Sequence, residues 1–428
     1  MKKRIRIDYL SRVEGEGGLL VEIKDGGISR LNVSIFESPR FFESFLRGRP
    51  HQDIIDFTAR ICGICPVAYQ MSSAHAVEKI FGVDVDPQIR LLRRLFYTGE
   101  WIESHALHIY LLQGPDFYGA ESAWTKSEYL PLAKKGLHFK KIGNDLLSVL
   151  GGRPIHPVSV RTGGFFGVPK KKSLTALIDD LEKAYEESLH AIRWAAGLPF
   201  GGIERDMEYV SLRHPEEYPM NEGRVVSNRG LDMTMEEFFG ALREHQVERS
   251  TALHSAVQRN TTMTPYLVGP LARFNLNFEM LPPEVKSIIR ETGTLVPLHN
   301  TGMGIIARSA ELSFAFHEAV RLIRDYEEPA KAFVEYSPRS GTATWITEAP
   351  RGMLIHRYEL DDNGYVKACT LIPPTSQNLG HMEKDIHAFL QKNLEKPADY
   401  LKRECEKIIR SYDPCISCSV HVLVLKRN

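Results

Sequence analysis

Four of the six cysteines stand in two pairs of the same spacing. Cys62 and Cys65 lie in RICGIC near one end, and Cys415 and Cys418 lie in DPCISCSVH near the other. A CxxC turn brings two sulfurs to one side, and two such turns make a four-sulfur site. Soft thiolates suit zinc, an iron–sulfur cluster, copper(I) or another thiophilic metal. The pairs are 353 residues apart, whereas a zinc ribbon closes a loop of tens of residues. A shared site therefore requires the fold to bring the two ends of the chain together. Two independent roles for the pairs stay open at this point. A thioredoxin-type motif fits poorly, because it needs one CxxC beside a βαβ pattern. Cys369 and Cys405 read as small core residues.

The elements that must position these thiols follow from periodicity. The opening alternates apolar and polar residues around Asp25-Gly26-Gly27, which predicts a hairpin or small sheet. Apolar residues at three- and four-residue steps predict long helices over 86–112, 173–197, 233–260 and 304–327. Ser173 is placed to cap the second, and Gly197 with Pro199 to end it. Strand patterns return around the Asp362-Asn363-Gly364 turn, and the last helices run from about Met382 to Tyr412. The expected class is α+β, mainly α: a bundle of long helices flanked by small sheets, in one domain over 1–428.

Composition narrows the function. The 428 residues carry 54 basic and 54 acidic side chains. Zero net charge argues against broad binding to nucleic acid or to an anionic membrane. No apolar run approaches the roughly 18 residues of a membrane span. MKKRIRIDYL is basic but lacks the apolar core of a signal peptide, so a cytoplasmic protein is expected.

Taken as a pair, RICGIC and DPCISCSVH resemble the large, catalytic subunit of the [NiFe]-hydrogenases, whose pattern is RxCGxC at one end and DPCxxCxxH at the other. The likeness extends to RVEGEGG (12–18), FFESFLRGRP (41–50), APRG (349–352) and LIPPTSQN (371–378). In effect it spans the chain. The wording RICGICPVAYQM and the compact length look most like the cytoplasmic, bidirectional, NAD(P)-linked subclass, including sulfhydrogenases.

The resemblance implies the hydrogenase large-subunit fold and the reaction H2 ⇌ 2H+ + 2e−. It implies that four thiolates hold nickel and that two of them bridge to an iron carrying two cyanides and one carbon monoxide. Carried over, Cys62 and Cys415 are the terminal nickel ligands, and Cys65 and Cys418 are the bridges. Glu14 falls where the family places its proton gate, and a positioned carboxyl can relay a proton. By residue type alone it reads as a solvent-facing glutamate at a turn. Glu16 reads as surface. Arg351 matches the arginine suspended over the centre, a group that stays charged; otherwise it is one more surface arginine. Asp116 and Asp413 match acids that orient this arginine and the site. Pro374 and Thr375 lie where the family encloses the diatomic ligands, with Thr375 able to donate to a cyanide. Glu43 and His421, with a backbone carbonyl around Thr370, match ligands of a Mg2+-type ion; a carboxylate oxygen suits a hard cation. His105 and His108 read as packing groups rather than ligands. EGEGG is not a dinucleotide fingerprint, since its third glycine is misplaced.

Two features depart from the family pattern. Tyr69 stands where many relatives carry a histidine. VLVLKRN (422–428) follows His421, where family precursors are cleaved after nickel insertion, so it reads as a maturation tail. The implied partners are a small Fe–S subunit, further flavin, Fe–S and NAD(P)H-binding subunits, a maturation protease and nickel-insertion factors. Neither nucleic acid nor membrane is expected as a partner. The alternative, from another class, is a non-redox scaffold subunit with a structural zinc site made by the four cysteines. The related quinone-reducing respiratory subunits have lost these cysteines, so all four being present speaks against them.

Overall fold

The computed structural model describes residues 3–201, 204–248, 250–259 and 261–420. The chain opens with strands β1 (Lys3–Ile7), β2 (Gly17–Lys24) and β3 (Gly27–Ile35), which form one antiparallel sheet in that order. Register pairs Ile7 with Leu19 and Leu19 with Val33, so the apolar set of every strand falls on one face. That face is buried: Ile5, Ile7, Leu19, Val21, Val33 and Ile35 are all within the core. Positive φ at Asp25 and Gly26 makes the expected tight turn between β2 and β3.

Helices α1 (Phe42–Leu46), α2 (His51–Ala59) and α3 (Pro66–Phe81) follow, then the long α4 (Pro87–Leu107). Asp86 caps α4 by accepting from the Gln88 N–H at 2.7 Å, with Pro87 in the first turn. The helix continues into a π-helical stretch, His108–Gln113. α4 packs between the helices Leu130–Gly151 and Gly304–Asp325, and the latter also meets Ile178–Ala196. Three of these four helices lie where periodicity places them; Leu130–Gly151 is a fourth that the sequence reading does not name. The face of Gly304–Asp325 that an amphipathic helix would give to water is instead sealed inside, with Arg308, Glu311 and Glu318 buried beside its apolar residues. Such charges require partners: Glu311 takes both Arg273 Nη2 at 2.8 Å and His105 Nε2 at 3.0 Å.

A second antiparallel sheet, Gly341–Ala349, Gly352–Leu360 and Val366–Ile372, carries the expected late turn and packs against α3. Two helices follow, Pro374–Gln391 and Ala398–Ser411. The first begins well before Met382, the start read from periodicity, because Pro374 sits in a first helical turn that tolerates proline rather than in a loop.

Two expectations are corrected. The helix over 233–260 is a helix only at Met235–Ala241, opened by a Thr234–Glu237 capping box. Beyond it, Leu242–Gln246 and Leu253–Arg259 pair as antiparallel strands. Pairing buries Leu242 and Val257 against Tyr266, Ile346 and Met353, and this packing overrides a helical spacing that the sequence permits equally well. The helix over 173–197 is broken: Lys171–Thr175 is a separate short turn, and the main helix starts at Ile178. Ser173 lies inside the first piece and caps nothing. Thr175 turns its hydroxyl back onto Lys171 O at 2.9 Å, and Asp179 and Asp180 supply the acids that favour a new N-terminus.

Candidate metal centre

Both cysteine pairs sit where an irregular turn is held by a regular element. After α2, residues Arg60–Ile64 turn sharply, and Cys65 becomes the residue that precedes α3. The amides of Ile64 and Cys65 donate to Cys62 Sγ at 3.3 and 3.4 Å. Glu100, wholly buried on α4, accepts from the amides of Val67 at 2.6 Å and Ala68 at 3.1 Å. It thereby satisfies the first turn of α3 from a neighbouring helix. At the other end, Asp413 takes a left-handed conformation with φ 54°, which Asp tolerates better than most residues. That turn ends the last helix and delivers Pro414 and Cys415 into the core. Thr375 accepts the Cys415 N–H at 2.9 Å.

The closing contact between the chain ends is backbone to backbone. Glu14 and Cys415 form a parallel bridge, and the Ile416 N–H donates to Glu14 O at 2.9 Å. Gly15 makes this possible. Its φ is +87°, and a Cβ there would stand 2.7 Å from Ile416 Cβ and 3.0 Å from Ser417 N.

The result is a cage of four buried sulfurs. Cys62 and Cys415 are 3.4 Å apart, Cys65 and Cys418 3.7 Å, and all four sulfurs lie within 4.8 Å of one another. Hydrogen bonds from Cys415, then Cys418 and Cys65, push the Cys62 thiol well below its usual value. Burial lifts Cys415 well above that value and Cys418 above it. Burial and mutual repulsion oppose ionising all four sulfurs together, and a thiophilic cation is what lets them ionise. The donor set therefore fits a soft or borderline metal, as thiolates do.

Around the sulfurs stand charged groups. The Glu14 carboxylate accepts from Cys415 Sγ at 3.2 Å, from the Ser417 N–H at 3.0 Å and from the Ser417 hydroxyl. Arg351 is buried, and its Nε donates to Asp413 O at 2.9 Å and lies 3.2 Å from Asp413 Oδ2. Its Nη1 and Nη2 have no hydrogen-bond partner among the described residues. Burial opposes the Arg351 charge, but Asp413 and the sulfurs of Cys415, Cys65 and Cys62 outweigh it. The same pairing, helped by His108 and Arg308, holds Asp413 below the usual carboxylate value against its burial.

Glu43 is buried on α1 and accepts from the Leu371 N–H at 2.8 Å, so the fold brings it beside Thr370. His421, the third residue of that group, and the segment 422–428 lie outside the described residues. Pro374 and Thr375 are buried in the first turn of their helix. Asp116 is placed differently from the expectation. It pairs with Arg12 Nη2 at 2.5 Å and with Arg410 Nη2 and Nε at 2.8 Å each, and it makes no hydrogen bond or ion pair with Arg351. Arginines from both chain ends reach it first, so it staples the segment before Glu14 to the last helix.

His105 Nε2 lies 3.0 Å from the Glu311 carboxylate, and His108 Nε2 meets Arg410 O at 2.9 Å, where burial lowers the His108 pKa to about 3. Cys369 and Cys405 are buried, their thiols pushed up to about 12 by that burial. Glu16 is exposed. Tyr69 is buried on α3, its hydroxyl raised by burial and then by Cys418 and Cys65. Sequence reasoning misses three residues at the site: Glu100, Ser417 and Arg40. Only Ser417 carries a signal, its place between the two C-terminal cysteines.

Comparison with known proteins decides the family. The pattern of the family described as "Nickel-dependent hydrogenase" matches residues 40–135 and 261–421, more than half of the chain. The chain belongs to the nickel-dependent hydrogenase family. It is 30% identical to the sulfhydrogenase 1 subunit alpha of Pyrococcus furiosus, covering 98% of both chains. It is 32% identical to the sulfhydrogenase 2 subunit alpha of the same organism, covering 98% of this chain and 100% of the relative. The solved structure of an NAD+-reducing [NiFe]-hydrogenase in the H2-reduced state superposes with a TM-score of 0.86 at 26% identity, over 98% of this chain and 99% of that one. A Ni-Fe-Se hydrogenase from D. vulgaris Hildenborough shares the fold at 21% identity, with a TM-score of 0.80 and coverage of 98% and 100%. This hydrogenase subunit therefore has the [NiFe]-hydrogenase large-subunit fold, and its four-sulfur cage fits a Ni–Fe centre that oxidises H2. Among the described residues no helix is long and apolar enough to cross a membrane.

Proposed function

We propose that residues 1–428 form one catalytic domain, its tail 422–428 removed on maturation, in which Cys62 and Cys415 would be terminal nickel ligands, Cys65 and Cys418 would be shared with the iron, and Cys415 passes its proton to Glu14. The observation that carries this reading is the convergence of the four buried sulfurs with the Glu14 carboxylate, which lies 3.2 Å from the Cys415 sulfur. When bound, a Ni–Fe pair carrying cyanide and carbon monoxide supplies the redox chemistry that splits H2 heterolytically. The chain supplies the rest. Cys415 Sγ holds the proton, and Glu14 Oε2 accepts it along the existing hydrogen bond. The Ser417 hydroxyl and N–H fix the carboxylate's orientation. Arg351 offers two uncommitted guanidinium nitrogens beside the sulfurs and acts as a fixed positive field for developing negative charge. Asp413 keeps that guanidinium in place. Thr375 accepts from the Cys415 amide and keeps its own hydrogen for a cyanide, with Pro374 closing the wall.

Glu43, with the Thr370 carbonyl and His421 that the family pattern supplies, would hold Mg2+ or a similar divalent ion; a carboxylate oxygen suits a hard cation. Electrons leave beside Gly63, the exposed residue between the two N-terminal thiols, where a Cβ would meet nothing within 4 Å. No second cysteine cluster stands among the described residues, so the acceptor is a small Fe–S subunit. The likeness to an NAD+-reducing hydrogenase and to sulfhydrogenase alpha subunits supports an NAD(P)-linked complex with further subunits; flavin on those subunits and a cytoplasmic location are carried over from the family resemblance. Residues 422–428 are read as a tail removed by a maturation protease after nickel-insertion factors have acted.

Metal analysis with infrared spectroscopy on the purified complex tests this reading. One nickel and one iron per chain, with cyanide and carbon monoxide stretching bands, is the expected result. Zinc in their place, without those bands, would overturn it in favour of a structural zinc site held by the same four thiolates.

A further inference from the structure

The two cysteine loops come from opposite ends of the chain and must be brought into register for one metal to take all four sulfurs. Four buried sulfurs are a poor adhesive, since ionising them side by side costs both desolvation and repulsion. Something other than the ligands must hold the loops in register.

Arg40, between β3 and α1, makes contact with both. Its Nη2 donates to Ile61 O at 2.7 Å and also to Ser417 O. Ile61 directly precedes Cys62, and Ser417 directly precedes Cys418. One guanidinium nitrogen thus ties the backbone just before one sulfur of each pair. The Arg40 N–H donates to Val420 O at 2.7 Å, so the same residue also fixes the segment leaving the second pair. Arg40 forms no ion pair with a carboxylate among the described residues, and its Nε is buried without a partner there. Its charge is directed at carbonyl oxygens, where charge-assisted bonds are stronger than neutral ones.

We propose that Arg40 is a positioning residue that joins the two cysteine loops into one four-sulfur site, so that the cage exists before the metal arrives. This rests on the reading of the four cysteines as a single metal site. Arg40 bonds to the backbone beside the sulfurs and not to the sulfurs. Its effect is on the distance between the pairs, not on the ligands themselves.

The test uses the full-length, metal-free chain and Co2+ as the probe, because the intensity of its thiolate charge-transfer band counts the sulfurs bound. Wild type should show the band of a four-thiolate site. Arg40→Gln should show a weaker band, with affinity for Co2+ reduced about 10- to 100-fold, the range for residues that support ligands without being ligands. Arg40→Lys keeps the charge on a shorter stem with one nitrogen, so it should recover part of the band and serves if the Gln variant folds poorly. Melting temperatures measured without metal separate this role from general stability. An unchanged band and affinity in both variants would overturn the proposal while leaving the metal site intact. So would losses that track melting temperature equally in both. A wild-type chain that binds Co2+ through only two thiolates would overturn the four-sulfur site and the Arg40 assignment together.

Discussion

Cys415 Sγ stands 3.2 Å from Glu14 Oε2, and the two residues are also joined through their backbones by a parallel bridge. The contact does not depend on side-chain rotamers alone. The Ile416 amide pins Glu14 O, and the Ser417 amide pins the carboxylate. An acid and a thiol so placed can exchange a proton without moving the chain.

Glu14→Gln should keep these backbone contacts and lose the exchangeable proton. H2-dependent dye reduction is expected to fall by about 10²- to 10⁴-fold, the usual worth of a positioned acid–base group. Nickel and iron contents should be unchanged. Retained activity in a fully loaded variant would move the proton path away from Glu14.

Arg351→Lys tests the charged group over the sulfurs. Lysine preserves the charge and its attraction to Asp413, but its single nitrogen cannot hold Asp413 and also set two further nitrogens beside the sulfurs. Activity should fall by about 10²- to 10³-fold, as for loss of a preorganised donor. Melting temperature and metal content should stay near wild type.

The residues at the sulfurs were legible in the sequence because the chemistry restricts them to few types. Only cysteine supplies four thiolates, and the turns that aim them leave Gly63, Pro66, Asp413 and Pro414 beside them. The residues that hold the turns were not legible. Glu100 and Arg40 are ordinary charged residues until the fold shows what they face. Asp116 sits in a matching motif, yet its partners are Arg12 and Arg410, and no local signal distinguishes one arginine from another. The stretch 233–260 failed for a different reason. Its spacing satisfies a helix, and strand pairing wins only through contacts with residues far away in sequence, such as Ile346 and Met353.

Asp116→Asn should therefore act on stability rather than on chemistry. It leaves the buried Arg410 and the half-buried Arg12 without this carboxylate, and breaking a buried pair from one side costs about 3–5 kcal/mol. Urea or thermal unfolding should show the loss. Activity per bound nickel should be close to wild type. The opposite pattern would restore Asp116 to the reacting site.

Glu100 separates a neutral cap from a charged one. Burial raises its carboxyl well above the usual value, despite the Val67 and Ala68 amides it accepts from. Glu100→Gln keeps an acceptor of the same size, so it should cost less than about 1 kcal/mol, whereas Glu100→Ala leaves two buried amides unpaired at about 1–3 kcal/mol each. Thermal unfolding of the two variants side by side checks the difference.

Metal loading should depend on pH with a definite sign. Burial holds Cys415 and Cys418 above the usual thiol value, so in the folded, metal-free chain they keep protons that an unfolded chain would release. Their contribution to stability is complete below the ordinary thiol value of about 8.5 and is lost as pH rises through their higher folded values. Cys62 is shifted the other way and opposes this in part. The metal-free chain should accordingly melt at lower temperature as pH rises above about 8.5, and the loaded chain should not. A cation that binds the four sulfurs must displace those protons, so Ni2+ should bind more tightly at about pH 8 than at about pH 6 and release protons as it does. Calorimetric titration in two buffers of different ionisation enthalpy measures that release directly. Binding without proton release would mean that the sulfurs are not the ligands.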